Sequence, residues 1–170
     1  MKHIYIATSK INGKGLFAGE DVKKGETIRL IKGEMKFKVN HGIEDSLANP
    51  NWIGLDQDQW IDPDKFFKFI NHSCAPTAGV KGRVTCVALR DLKEGEEITL
   101  DYSTIEGDDL WKMPCSCGVK NCRKIVRSIQ YLPEENFKAY FPYVSEYFKK
   151  LYLKTKKQPK NKSKEIKEEA

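Results

Sequence analysis

Over its first hundred residues the chain alternates apolar and polar positions in short runs separated by turn residues. Ile4 and Ile6 alternate with His3 and Tyr5 until Asn12-Gly13-Lys14-Gly15 breaks the run. Ile28 and Leu30, then Met35, Phe37 and Val39, keep a spacing of two. That spacing puts their side chains on one face of an extended chain. Trp52-Ile53-Gly54-Leu55 and Gln59-Trp60-Ile61 flank a polar turn and predict a hairpin, and residues 83–89 and 97–102 predict two further strands. One phrase occurs twice, from Asp21 to Ile28 and from Asp91 to Ile98. Each copy has a glycine just before a strand, where a positive φ would cost other residues about 1 kcal/mol or more. The copies read as two similar structural turns without chemistry.

The pattern changes near the end. Phe137, Tyr140, Phe141, Val144, Tyr147, Phe148 and Leu151 fall at spacings of three and four, one aromatic stripe on a helix. Pro142 inside that stripe predicts two short helices or a kink. From Lys154 onward the chain holds seven lysines and three glutamates with almost no apolar residue, which predicts a disordered tail over 154–170.

Composition changes this picture little. At 170 residues, 39% hydrophobic and 32% charged, the chain suits one soluble domain. Of the net charge of +6, the tail carries +4, so the body is nearly balanced. A solvated tail is the expectation, with loose contact to nucleic acid or another acidic partner as the minor reading. No run of about 18 apolar residues exists, and the N-terminus lacks the apolar stretch of a secretory signal. An intracellular protein, in cytoplasm or nucleus, is expected, with signal-free export to a host left open; a monomer is expected.

Five cysteines, an odd number, argue against a disulfide framework. Cys115, Cys117 and Cys122 form a C-x-C-x4-C arrangement that suits zinc, and a closed zinc site needs a fourth ligand. Cys86 lies in a strand-like apolar run, where burial is the default. Cys74 lies in the loop-like Asn71-His-Ser-Cys-Ala-Pro76, where a ligand could face inward, so it is the favoured fourth ligand. Four thiolates leave no open position, which makes the expected zinc structural.

These residues together resemble a known family. Gly13-Lys-Gly-Leu-Phe-Ala18, Phe69-Ile-Asn-His-Ser-Cys-Ala-Pro76, Glu97-Ile-Thr-Leu-Asp-Tyr102 and the cysteine cluster look like the successive motifs of SET-domain protein-lysine methyltransferases with a post-SET zinc motif. The resemblance covers about residues 3–127. It implies a mostly β, SET-type β-clip fold of small curved sheets with a pseudoknot near Asn71. It divides the chain into a catalytic domain (1–110) and a post-SET zinc segment (111–127), followed by the aromatic helical segment (128–153) and the tail. It implies S-adenosylmethionine (AdoMet) as cofactor, held by Lys14, Gly15, Leu16, Asn71 and His72, with Trp52 as a further aromatic contact. It implies Tyr102 as the active-site tyrosine, Cys74, Cys115, Cys117 and Cys122 as zinc ligands, and a lysine-bearing protein, histone or other, as substrate.

The sequence departs from the family at Leu100, two residues before Tyr102, where an aromatic residue usually limits the substrate channel. A smaller leucine implies di- or trimethylation. Three readings compete with catalysis: a silent SET-like binding module, a zinc-stabilised nucleic-acid-binding protein and a metal-free structural β domain.

Overall fold

The computed structural model describes residues 1–37 and 51–157. The chain forms strands β1 (Ile4–Thr8), β2 (Lys14–Ala18), β3 (Thr27–Leu30), β4 (Gly33–Phe37), β5 (Ile53–Asp56), β6 (Gln59–Pro63), β7 (Asn71–His72), β8 (Ala78–Lys81), β9 (Thr85–Ala88) and β10 (Glu97–Leu100), of which the alternation does not predict β2, β7 and β8. Two more, β11 (Lys112–Pro114) and β12 (Ile125–Arg127), bracket the cysteine motif. They form four small sheets, ordered β1-β2-β10-β7, β3-β9-β8, β4-β6-β5 and β11-β12. The mostly β expectation holds, and the predicted hairpin is the antiparallel pair β5–β6. Val39 and the tail from 158 onward lie outside the described residues.

One pairing positions everything that follows. β7 lies parallel to β10, with Asn71 opposite Thr99 and His72 opposite Leu100. On its other side β10 pairs with β2. The loop around residue 71 is thereby set beside the chain that leads into Tyr102. That chain does not end as a plain strand. Asp101 accepts a hydrogen bond from the Ser103 N–H at 3.1 Å and starts a 3-10 turn, Tyr102–Ile105. A side-chain acceptor here competes with the sheet ladder for the backbone donor and turns the chain out of the sheet.

The duplicated phrase forms two turns that grip each other. Val22 and Leu92 exchange backbone hydrogen bonds, Asp91 accepts from the Lys24 N–H, and Asp21 accepts from the Glu94 N–H. Gly25 and Gly95 adopt φ of 83° and 84°.

The aromatic stripe forms helices α1 (Glu134–Tyr140) and α2 (Glu146–Lys157), joined by a 3-10 turn over Phe141–Tyr143 that contains Pro142. Phe137, Val144 and Phe148 are buried with Ile129, Leu132 and Tyr152, and the Phe137 and Tyr152 rings stack 3.7 Å apart. Phe141, expected in the stripe's buried face, is exposed. α2 also continues through Lys157, so the boundary expected at 154 falls inside a helix. The helices press onto the sheets: a Cβ on Gly54 would lie 2.3 Å from the Ile105 carbonyl oxygen and 3.1 Å from Phe148.

Candidate functional site

Asn71 anchors the turn that precedes β2. Its Nδ2 faces the carbonyl oxygens of Asn12 at 3.2 Å and Lys14 at 3.1 Å, and Glu97 Oε1 at 2.8 Å. Ser9 also donates to that carboxylate, at 2.8 Å. All three Asn71 contacts fall on the nitrogen, so its oxygen is the acceptor left for anything in the neighbouring cavity. Gly15 makes room for this network, because a Cβ there would sit 2.3 Å from Glu97 Oε1.

His72 is buried, and its Nδ1 accepts the Tyr102 backbone N–H at 3.1 Å. Burial first, and the Arg123 guanidinium second, push its pKa down to about 3, so the ring is neutral. Its one hydrogen then belongs on Nε2, which points at Cys74 Sγ 3.4 Å away. Asp101 lies 3.7 Å from Nδ1, a contact with a neutral ring and not an ion pair. The Tyr102 hydroxyl donates to the Ile70 carbonyl oxygen at 2.6 Å, and burial pushes its pKa up to about 12.

Tyr102 stands between two cavities. One is lined by Asn12, Asn71 and His72 together with Met113 and Cys115 to Cys117. The second is lined by Trp52, Trp60, Phe67, Ile70, Ile105 and Trp111, with Asn51, Lys68 and Glu106 as its polar residues. All three tryptophans of the chain meet in this second cavity. Burial raises the Glu106 carboxyl above the ordinary glutamate range.

The sulfurs of Cys74, Cys115, Cys117 and Cys122 all lie within 4.8 Å of one another. A tetrahedral zinc with sulfur ligands at about 2.3 Å needs sulfur–sulfur edges of about 3.8 Å. Cys74–Cys115 at 3.9 Å and Cys115–Cys122 at 3.7 Å match that edge. The cluster therefore fits a closed structural zinc, and Cys74, nominated from its loop setting, is the fourth member. Cys86 is fully buried in β9, where desolvation lifts its thiol to about 12, an inert core residue.

The SET domain family model matches residues 13–103. This chain is a SET domain. Histone-lysine N-methyltransferase trr of Drosophila melanogaster is 33% identical over 144 residues, covering 72% of this chain and 6% of its own length. The H3 lysine-4 specific histone-lysine N-methyltransferase of Schizosaccharomyces pombe is 34% identical over 142 residues, covering 72% of this chain and 15% of its own length. The chain thus spans a small fraction of the curated relatives it matches. Among solved structures, KRYPTONITE in complex with mCHG DNA and SAH superposes with a TM-score of 0.60 at 23% identity, covering 74% of this chain and 29% of that one. A second KRYPTONITE complex, with mCHH DNA, H3(1-15) peptide and SAH, gives 0.57 over 75% of this chain and 30% of that one.

Within this SET domain the expected site residues divide. Asn71, His72 and Tyr102 line one cavity; Lys14 does not line it, and its backbone oxygen accepts from Asn71. The Leu16 side chain is fully buried, paired with Ile6 on one side and Ile98 on the other, which leaves only its backbone for a cofactor. A side chain at Gly15 would meet Glu97. Trp52 lines the tryptophan cavity instead. Leu100 is fully buried in the main core and lines neither cavity. Residues two apart share a face only while the strand continues, and the 3-10 turn at Tyr102 separates them. Glu97, Trp60 and Trp111 escaped sequence reasoning. A cluster of tryptophans in a short chain was the available signal for the last two.

Proposed function

We propose that this SET domain transfers methyl groups from AdoMet to lysine side-chain amines of a protein substrate, a histone or another basic protein. The observation that carries this is Tyr102 as the shared wall between a cavity lined by three tryptophans and one lined by Asn71 and His72. Aromatic walls suit the lysine stem, and the Asn71 and His72 side suits a zwitterionic cofactor. Relatives named as histone-lysine methyltransferases and neighbours crystallised with SAH and an H3 peptide support the same reading. Location inside the cell, in cytoplasm or nucleus, goes with such a substrate.

Bound AdoMet would supply an electrophilic methyl group on a cationic sulfur. The residues of the chain hold and orient. Asn71 Oδ1 and the backbone near Lys14 offer acceptors for a cofactor amine. His72, fixed as a neutral ring, braces the Tyr102 backbone. The tryptophan-lined cavity strips water from the incoming amine, which favours the neutral, nucleophilic form. Aligning the two reactants in this way can account for about 7–11 kcal/mol of the barrier. The Tyr102 hydroxyl orients the amine as a neutral group; with its pKa raised it does not accept the proton at neutral pH. Trp52 serves the lysine side in this arrangement. Leu100 lines neither cavity, so its size gives no support to di- or trimethylation, and mass spectra of the product lysine read the methylation state directly.

Incubation of the purified chain with labelled AdoMet and a histone mixture should yield labelled lysine. Tyr102→Phe should lower the rate by about 10²–10³-fold, the usual loss on deleting a positioned polar group in an active site. The wild-type rate should climb with pH up to about 9 as the substrate amine deprotonates. Full activity in Tyr102→Phe would overturn the assignment, and no labelling of any protein in a whole-cell lysate would favour a silent binding module.

A further inference from the structure

Asp101, immediately before Tyr102, is 1% exposed, and its carboxylate does more than cap the turn that starts there. Its partner is Arg123, the residue after the last cysteine, whose Nη2 donates to Asp101 Oδ1 at 2.6 Å. The same side chain donates through Nη1 to Ser103 Oγ at 3.1 Å and through Nε to Cys74 Sγ at 3.4 Å. The Arg123 backbone N–H adds a second donor to that sulfur, also at 3.4 Å. One guanidinium therefore joins a cluster sulfur to the residues on both sides of Tyr102. A second path ends on the same sulfur: the Tyr102 N–H is held by His72, whose Nε2 faces Cys74 Sγ.

We propose that Arg123 is a positioning residue that makes metal occupancy of the four-cysteine cluster and the order of residues 97–105 one linked equilibrium. Four thiolates around a zinc ion carry excess negative charge, which N–H donors to sulfur offset; such outer partners govern how firmly the ion is held. With the metal bound, Cys74 is held in place as the acceptor for both Arg123 donors. With the metal gone Cys74 is no longer fixed, and the guanidinium that compensates the buried Asp101 loses that anchor. Stabilisation in one direction requires stabilisation in the other. Lysine could supply the charge but not the planar fork that reaches sulfur, hydroxyl and carboxylate together. The inference rests on the fit of the cluster to zinc and not on methyl transfer, so it survives if the activity assay fails.

The test is hydrogen exchange by mass spectrometry on the full chain, zinc-loaded and after chelation, with zinc transfer to a colorimetric chelator as a second readout. In the wild type, chelation should speed exchange in 97–105 about tenfold, within the usual range of coupling between sites. In Arg123→Gln the same segment should exchange fast with zinc still bound, and chelation should add almost nothing. Zinc should leave that variant about 10–100-fold faster, the usual loss on removing an outer-sphere partner. Residues 4–18 should stay protected throughout. If Arg123→Gln loses protection there as well, Arg123→Lys decides by the same two readings and should behave like Gln. Equal loosening of wild type and variant on chelation, or normal protection of 97–105 in the zinc-loaded variant, would overturn the proposal.

Discussion

The sheet core and the cysteine segment bury very different amounts of apolar side chain. In the core, Leu16, Ile28, Leu92, Ile98 and Leu100 are buried in one cluster that also takes in Ile53 and Ile61 from a third sheet. Between residues 111 and 127 only Cys117 and Val126 are buried, and their local cluster is completed by Cys74 from the loop after β7. Each buried Leu or Ile contributes about 1.5–3 kcal/mol, so the core has ample reason to fold by itself. The cysteine segment does not: its stability has to come from metal–sulfur bonds and from the Arg123–Asp101 pair. Nevertheless the segment supplies part of the wall of the cavity that holds Asn71 and His72. The molecule therefore builds its site from one part that folds by burial and one that folds by coordination.

Removal of the metal should break this comparison open with the largest effect. Structural zinc sites contribute on the order of 10–16 kcal/mol of apparent folding free energy. Chelation, or Cys74→Ser, should free 111–127 and loosen 97–105 while β1 and β2 stay paired. Metal analysis should show loss of zinc, and hydrogen exchange should rise in 111–127 with β1 and β2 still protected. Equal loss of protection in both regions would mean that the core depends on the metal too.

The complementary experiment cuts into the core. Ile98→Ala should cost about 2–5 kcal/mol, the range for large-to-small changes at filled sites. It should lower the melting temperature of the sheets, and the folded variant should retain zinc. A variant that lost zinc before its sheets melted would show that the cluster is preorganised by β10.

The legibility of these two regions also differs. Strands followed from period-two alternation, and the zinc ligands from the cysteine spacing plus one loop cysteine, because both signals are local. The Asp101–Arg123 bridge and the meeting of Trp52, Trp60 and Trp111 depend on how distant segments come together, which no local pattern encodes. Leu100 illustrates a different failure. The resemblance put it at the substrate channel, but it is buried in the core and the Asp101 cap turns the chain before Tyr102. At Gly15 the need for a bare backbone also comes from Glu97, a residue already quoted in a motif but never given a role.

Ionisation of Tyr102 tests the core's hold on the site without touching a metal ligand. Its folded pKa of about 12 lies above the ordinary tyrosine value of 10.0. The stabilisation from keeping the phenol neutral is complete below pH 10 and is lost as pH rises through about 12. Tyr102→Phe should flatten that part of the alkaline unfolding curve. It should also cost about 1 kcal/mol at neutral pH for the hydrogen bond to Ile70.

The smallest effects come from backbone strain, and they should take opposite signs in the two regions. Gly95 in the core turn has φ of 84°, and a Cβ placed on it would meet no other atom within 4 Å, so Gly95→Ala meets strain alone. It should cost about 1–2 kcal/mol, read from urea unfolding. In the cysteine segment Lys124 sits at φ of 65°, the one non-glycine residue with positive φ among the described residues. Its carbonyl oxygen accepts the Cys115 N–H at 2.7 Å, which holds the strained turn beside the cluster. Lys124→Gly relieves about 1 kcal/mol of strain but adds about 0.4–1 kcal/mol of unfolded-chain entropy. Zinc competition against a chelator should therefore shift by less than about threefold, toward tighter binding. A loss of zinc affinity would mean that the lysine side chain, and not the turn it occupies, steadies the cluster.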